Sequence, residues 1–189
     1  MMYSIGVDIG GSHITSGMFE HMDKYLIPNS IVTIPVDNGA SKAEILSKWA
    51  EAIRQTIATG GVDQIEGIGL AVPGPFDYYN GTCLIRGVQK FDSLYNVNVR
   101  DELSTRLNFP SDQIRFINDA ASFSIGEAKY GEAASFSRCV AITLGTGFGS
   151  CFLVDGQPIV SGAEVPESGV LYDKYLQGRM ADDLFLPEV

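Results

Sequence analysis

Cysteine is scarce in this 189-residue chain: Cys83, Cys139 and Cys151 are odd in number and widely spaced. They supply neither a disulfide framework nor a Cys-x-x-Cys zinc pair. Histidine is scarcer still, with only His13 and His21, too few for a metal centre built on imidazoles. Positive charge is also short, with 13 lysines and arginines against 23 acids and a formal net charge of −10. A surface of that sign does not gather phosphate-backbone contacts, so no nucleic-acid partner is expected. A nucleotide stays open, because backbone amides and one metal ion can hold it. No apolar run reaches the ~20 residues of a membrane helix. Met1-Met2-Tyr3-Ser4 enters a strand at once, without the basic segment and apolar core of an export signal. No membrane partner is expected, and the cytosol is the expected compartment.

What is present is apolar material and glycine. At 45% hydrophobic and 19% charged residues, the chain can build one medium domain or two small lobes. Tyr3 to Ile9 is an apolar, β-branched run that reads as a buried strand with Asp8 near its end. Gly10-Gly11 allows a tight reversal, since glycine accepts positive φ, and His13 to Glu20 reads as the returning strand. Backbone N–H groups around Gly10, Gly11 and Ser12 can face an anion, and Asp8 can hold a magnesium ion or its water shell. Alone, the stretch reads equally as an ordinary hairpin with a buried acid. It is repeated, however: Ile142 to Val154 again runs strand, glycine-rich turn (Gly145, Thr146, Gly147, Gly149), strand. A hydroxyl in each turn, Ser12 and Thr146, suggests a duplicated architecture whose halves face each other across a phosphate-binding cleft.

Between the turns the order is strand and helix in alternation. Ile31 to Val36 is a short strand ended by Pro35. Ser41 to Thr59 is a helix with a Ser41/Glu44 capping box and Leu46, Trp49, Ala50, Ile53 and Ile57 on one face, stopped by Gly60-Gly61. Ile65 to Val72 is a strand in which Gly67 and Gly69 suggest close packing, followed by a rigid Pro73-Gly74-Pro75 turn. Tyr78 to Val97 lacks a clear period and reads as a long excursion of the kind that carries function or moves. Asn98 to Asn108 is a short helix. Ile114 to Ile117 is a strand with Asn118-Asp119 at its end, and Ala120 to Tyr130 is the helix that follows. Those two residues are good helix caps; in an α/β fold a carboxylate at that place also points into the ligand crevice. After Val154, Asp155-Gly156 is a hairpin turn and Gln157 to Val160 returns, and the remainder is irregular.

These pieces resemble the ROK family of bacterial sugar kinases, within the two-lobed ATP-binding superfamily of actin, heat-shock ATPases and hexokinase. The matching blocks are GVDIGGS (6–12), IGLAVPGPFD (68–77), FINDAASFSIGEAKYG (116–131) and ITLGTGFGSCFLVDGQ (142–157), in the family's order. The resemblance implies an α/β, actin-like and ribonuclease H-like fold, with a first lobe over 1–116 and a partial second lobe over 117–189. It implies a first phosphate loop at Gly10, Gly11 and Ser12 with Asp8 as the magnesium-side acid, and a second at Gly145, Thr146, Gly147 and Gly149. It implies further that Gly74 lines the sugar pocket, that Asn118 bonds a sugar hydroxyl, and that Asp119 is the general base for phosphoryl transfer. ATP and Mg2+ are the implied cofactors, a monosaccharide the implied substrate and a homodimer a compatible assembly.

Two departures from the family pattern bear on these expectations. The usual Gly-Glu-x-Gly-His aligns with Pro166-Glu167-Ser168-Gly169-Val170, so Glu167 is retained as a sugar ligand. Val170 stands where the zinc- and sugar-binding histidine belongs and no three-cysteine motif follows, so no zinc is expected. His13 stands where a lysine often follows the first turn. The adenosine-binding motif of the second lobe is also not in the sequence. The leading expectation is an ATP- and Mg-dependent sugar kinase of glucokinase type. The alternatives are an inactive fragment of the fold, and a non-catalytic sugar-binding regulator, which the acidic charge and the early position of Asp8 disfavour.

Overall fold

The computed structural model describes residues 1–62, 64–88, 90–144 and 148–171, and the backbone alone of Tyr175–Leu176 and Arg179–Met180. The chain divides into two compact units, Met1–Asp119 and Ala120–Val189.

The first unit is built on a mixed sheet. Strands β1 (Tyr3–Ile9) and β2 (His13–Glu20) form the expected hairpin; β3 (Tyr25–Leu26) and β4 (Val32–Pro35) each pair antiparallel with β2. After helix α1 (Lys42–Gly60), strand β5 (Gly67–Val72) pairs parallel with β1. A small hairpin of β6 (Phe76–Asp77) and β7 (Thr82–Cys83) then leads into the excursion. Helix α2 (Val99–Leu107) follows, and β8 (Ile114–Asn118) completes the order β3-β2-β1-β5-β8. Strand side chains alternate across a sheet. Thus Ile5, Val7 and Ile9 of β1 and Ile68, Leu70 and Val72 of β5 are buried in one cluster with Leu46, Trp49 and Ile53 of α1. Each such large apolar side chain contributes about 1.5–3 kcal/mol on burial. The residues between them, Ser4, Gly6 and Asp8, take the other face.

Helix α1 is specified locally. The Ser41 hydroxyl accepts from the Glu44 N–H, the Glu44 carboxylate accepts from the Ser41 N–H, and Gly61 ends the helix in the left-handed region at φ 66°. Its buried face carries Thr56 rather than Ile57 as the last fully covered residue, because Thr56 Oγ1 meets Ser16 Oγ of β2 at 2.6 Å. Two expectations need correction. Gly10 and Gly11 do not take positive φ; Gly10 is required by proximity, since a β-carbon there would lie 3.0 Å from the His13 carbonyl oxygen. Gly67 is tight, with the Gln113 carbonyl 3.1 Å from a β-carbon, but nothing lies within 4 Å at Gly69. The Tyr78 to Val97 excursion is ordered by hydrogen bonds to its surroundings, among them Cys83 N–H to Val97 O at 3.0 Å and Phe91 N–H to Asn38 O at 2.8 Å.

The second unit begins in helix α3 (Asp119–Tyr130), whose first residue still belongs to the first unit. Strands β9 (Arg138–Leu144), β10 (Phe148–Val154) and β11 (Gln157–Ile159) form an antiparallel sheet in the order β11-β10-β9, with the expected turn at Asp155-Gly156, both at positive φ. The β9–β10 hairpin repeats the design of β1–β2. Its edge strand, β9, has Val140, Ile142 and Leu144 about half or more exposed. A further two-stranded pair, β12 (Tyr175–Leu176) and β13 (Arg179–Met180), lies in the stretch expected to be irregular.

Candidate functional site

Parallel strands β1, β5 and β8 bring three sequence-distant segments to one end of the sheet. Asp8 pairs in register with Ala71, and Ala71 with Ile117, so Asn118 and Asp119 follow one and two residues beyond that row. Adjacent strands are spaced about 4.8 Å apart, which puts Asp8 and the β8 terminus about 10 Å apart across β5. The carboxyl ends of parallel strands are where α/β sheets take their ligands. A groove lined among others by Ser4, Glu66, Gly69, Asp112 and Arg115 lies at the opposite, amino end of these strands.

Asp8 and Asp119 are both exposed. The Asp8 carboxyl is raised above its ordinary value, first by partial loss of hydration and second by the negative charge of Asp119, with His13 opposing. The Asp8 carboxylate beside a glycine turn is a hard oxygen donor, of the type that can hold Mg2+ or its water shell. Among the described residues no group of three or more His, Cys, Asp or Glu side chains is placed to hold a metal by itself.

Asn118 is oriented from two sides. Its amide Nδ2 donates to Asp119 Oδ1 at 3.0 Å and to the Tyr78 hydroxyl at 3.3 Å. Tyr78 in turn donates to the Val72 carbonyl at 3.1 Å, and its hydroxyl would stand 3.3 Å from a β-carbon on Gly74. Burial pushes the Tyr78 phenol up, the hydrogen bond from Asn118 pulls it down, and the charge of Asp119 raises it again. One phenol therefore ties the Gly74 turn to the Asn118-Asp119 pair.

The Gly10-Gly11-Ser12 turn is fastened from behind. Gly10 N–H donates to His13 O at 3.0 Å, Val36 N–H to Ser12 O at 2.9 Å, and Asn38 Nδ2 to Gly11 O. With the Gly11 and Ser12 carbonyls occupied and the Gly10 N–H given to His13 O, the N–H groups of Gly11 and Ser12 are the turn's donors toward an anion. Ser12 Oγ also lies 3.3 Å from His13 Nδ1.

In the second unit, Gly149 packs where no side chain fits: a β-carbon there would come 2.2 Å from Thr143 Oγ1 and 2.9 Å from the Ala120 β-carbon. Glu167 is exposed, in a turn closed by Gly169 N–H to Pro166 O at 2.7 Å. Gly145, Thr146 and Gly147 lie outside the described residues.

Residues 4–172 match the ROK family model. The chain belongs to the ROK family. It is 32% identical over 152 residues to a glucokinase of Thermotoga maritima, covering 80% of this chain and 44% of that protein. It is 31% identical over 154 residues to an N-acetyl-D-glucosamine kinase of Erwinia tasmaniensis, covering 82% and 47%. A crystal structure of a ROK hexokinase from Thermus thermophilus superposes with a TM-score of 0.74 at 26% identity, over 98% of this chain and 57% of that one. The chain thus spans about half the length of the curated relatives it matches, and its mixed α/β fold is that of ROK sugar kinases, actin-like with a partial second lobe.

Within this ROK chain, Gly10, Gly11, Ser12, Asp8, Gly74, Asn118 and Asp119 all lie in the first unit, while Gly149 and Glu167 lie in the second. Sequence reasoning missed Tyr78 and Asn38 as ties. Their partners are 40 and 27 residues away in sequence, beyond the reach of any local pattern.

Proposed function

We propose that this chain carries the sugar-binding and phosphoryl-transfer machinery of an ATP- and Mg-dependent monosaccharide kinase. The observation that carries the reading is the coupled pair Asp8 and Asp119 at the carboxyl end of one sheet, with Asn118 locked beside Asp119. Phosphoryl transfer asks the protein for positioning, charge neutralisation and one carboxylate at the nucleophile. In this reading Asp119 takes the proton of the attacking sugar hydroxyl, Asn118 and Glu167 hold neighbouring hydroxyls, and Gly74 lets the sugar approach the main chain. The turn Gly10-Gly11-Ser12 holds the phosphate to be transferred, through the N–H groups of Gly11 and Ser12, and Gly145, Thr146, Gly147 and Gly149 serve the remaining phosphates. Mg2+, held through water by Asp8, would neutralise phosphate charge. Functionally the lobes are 1–116 and 117–189, and the reaction belongs in the cytosol. The glucokinase and N-acetylglucosamine kinase relatives support glucose or its 2-acetamido analogue as the sugar class.

The test is a panel of hexoses and 2-acetamidohexoses with Mg·ATP, followed by phosphorus NMR for a new sugar phosphate. Formation of one sugar phosphate, abolished by chelating magnesium, supports the reading; sugar binding with no transfer under any condition overturns it. That outcome is the second reading, a sugar-holding chain without transfer.

A further inference from the structure

We propose that Lys90 is the cation of the first phosphate turn, contacting the terminal phosphate of the donor held at Gly10-Gly11-Ser12. This rests on the kinase reading above and adds a residue to it. The turn itself brings no fixed positive charge, since His13 stands where a lysine is often found. Lys90 comes from the far excursion, 79 positions after Gly11, yet its Cε and Nζ lie 3.8 and 3.9 Å from where a β-carbon on Gly11 would stand. The glycine leaves that side of the turn open, and the ammonium fills the approach.

The placement is built into the fold. Asn38 donates to the Gly11 carbonyl through Nδ2 and accepts the Phe91 N–H at its own carbonyl, at 2.8 Å. One residue thereby clamps the turn to the segment that carries Lys90. Phe91 is 1% exposed and packs edge-on to Trp49, with ring centroids 5.5 Å apart, so the segment is anchored in the core. The Lys90 ammonium lies 5.8 Å from the Phe91 ring centroid and enters no ion pair among the described residues. A half-buried ammonium in a chain of net charge −10, in no ion pair among the described residues and beside a turn whose Gly11 and Ser12 carbonyls are already occupied, is arranged for an incoming anion. A phosphoanhydride supplies that anion, whether it comes from a nucleoside triphosphate or from an inorganic polyphosphate.

The experiment is calorimetry on the 189-residue chain with Mg·ATP, Mg·tripolyphosphate and glucose as separate ligands. Lys90→Met weakens both phosphate ligands about 10- to 100-fold, the range of a lost charge-assisted hydrogen bond, and leaves the sugar affinity within about twofold. Lys90→Arg recovers most of the loss. Lys48→Met, which removes an exposed charge paired with Glu51 on α1, has no comparable effect and controls for net charge. Unchanged phosphate affinity in Lys90→Met overturns the inference while leaving the kinase reading intact. Loss confined to Mg·ATP, with tripolyphosphate unaffected, also overturns it, because the lysine would then be reading the nucleoside. A wild-type chain that binds neither phosphate ligand overturns the phosphate turn itself, and with it this assignment.

Discussion

The Tyr78 hydroxyl receives Asn118 Nδ2 at 3.3 Å and gives its own proton to the Val72 carbonyl. Both donors of the Asn118 amide are then spoken for, one at Tyr78 and one at Asp119. The amide cannot rotate to offer a donor without breaking both bonds. Tyr78→Phe keeps the ring and its contact with Phe76 but removes this tie. We expect sugar affinity, measured by calorimetry, to fall about tenfold, the worth of one or two buried hydrogen bonds. Side-chain amide NMR of Asn118 should report the released rotamer. An unchanged affinity would show that the pair is structural only.

Asp119 stands at the first position of α3, where Asn would serve about as well as Asp. If its work is done as a base, Asp119→Asn should cost on the order of 10²–10⁴-fold in turnover with little change in melting temperature. A coupled ATP–sugar assay beside a thermal melt separates the two roles. Near-normal turnover would remove the base from the mechanism.

Ionised Asp8 works against the fold, because its carboxyl is raised above the ordinary aspartate value of 3.8 by lost hydration and by Asp119. A raised folded-state value means that the contribution to stability is complete below about 3.8 and is lost as pH rises through the folded value. In magnesium-free buffer, Asp8→Asn should therefore melt higher than the wild type at pH 7, and the difference should close as pH falls through the raised Asp8 value towards 3.8. Asp119→Asn should narrow the same gap by removing one of the two causes. A constant difference across that range would contradict the coupling.

Gly149 has no room for a methyl group between Thr143 Oγ1 and Ala120. Gly149→Ala should destabilise the second unit by about 1–3 kcal/mol through overpacking, read as a lower denaturation midpoint. Adding Thr143→Ala, which removes the nearer obstacle, should recover part of the loss. No recovery would place the strain at Ala120.

What could be read from the sequence was whatever is decided within a few residues. The Ser41–Glu44 box, the αL glycine at 61 and the Asp155-Gly156 turn depend on local bonding, and each appears where its residues stand. The glycine-turn hairpins were legible because apolar runs on either side of glycines leave few alternatives. Strand β3, two residues long, was not, because its pairing with Phe19 and Glu20 leaves no period to detect. The glycines show the limit most clearly. Positive φ was assumed at Gly10, where the real demand is the nearby His13 carbonyl, and tight packing at Gly69, which faces open space. The site was legible as motifs and not as connections. Asp8, Asn118 and Asp119 announced themselves in blocks, but Tyr78, Asn38 and Lys90 act on residues 27 to 79 positions away.

Strand β9 differs from its counterpart β1 in one respect with a kinetic consequence. β1 is paired on both sides, by β2 and β5, whereas β9 is paired only by β10 among the described strands. Alternate amides along an edge strand point outward, and a bare apolar edge templates further pairing. In deuterium exchange the outward amides of β9 should turn over long before those of β1, at free energies well below global unfolding. At high protein concentration the same edge, with Val140, Ile142 and Leu144 about half or more exposed, is where aggregation should begin, and Ile142→Lys is the substitution that should delay it.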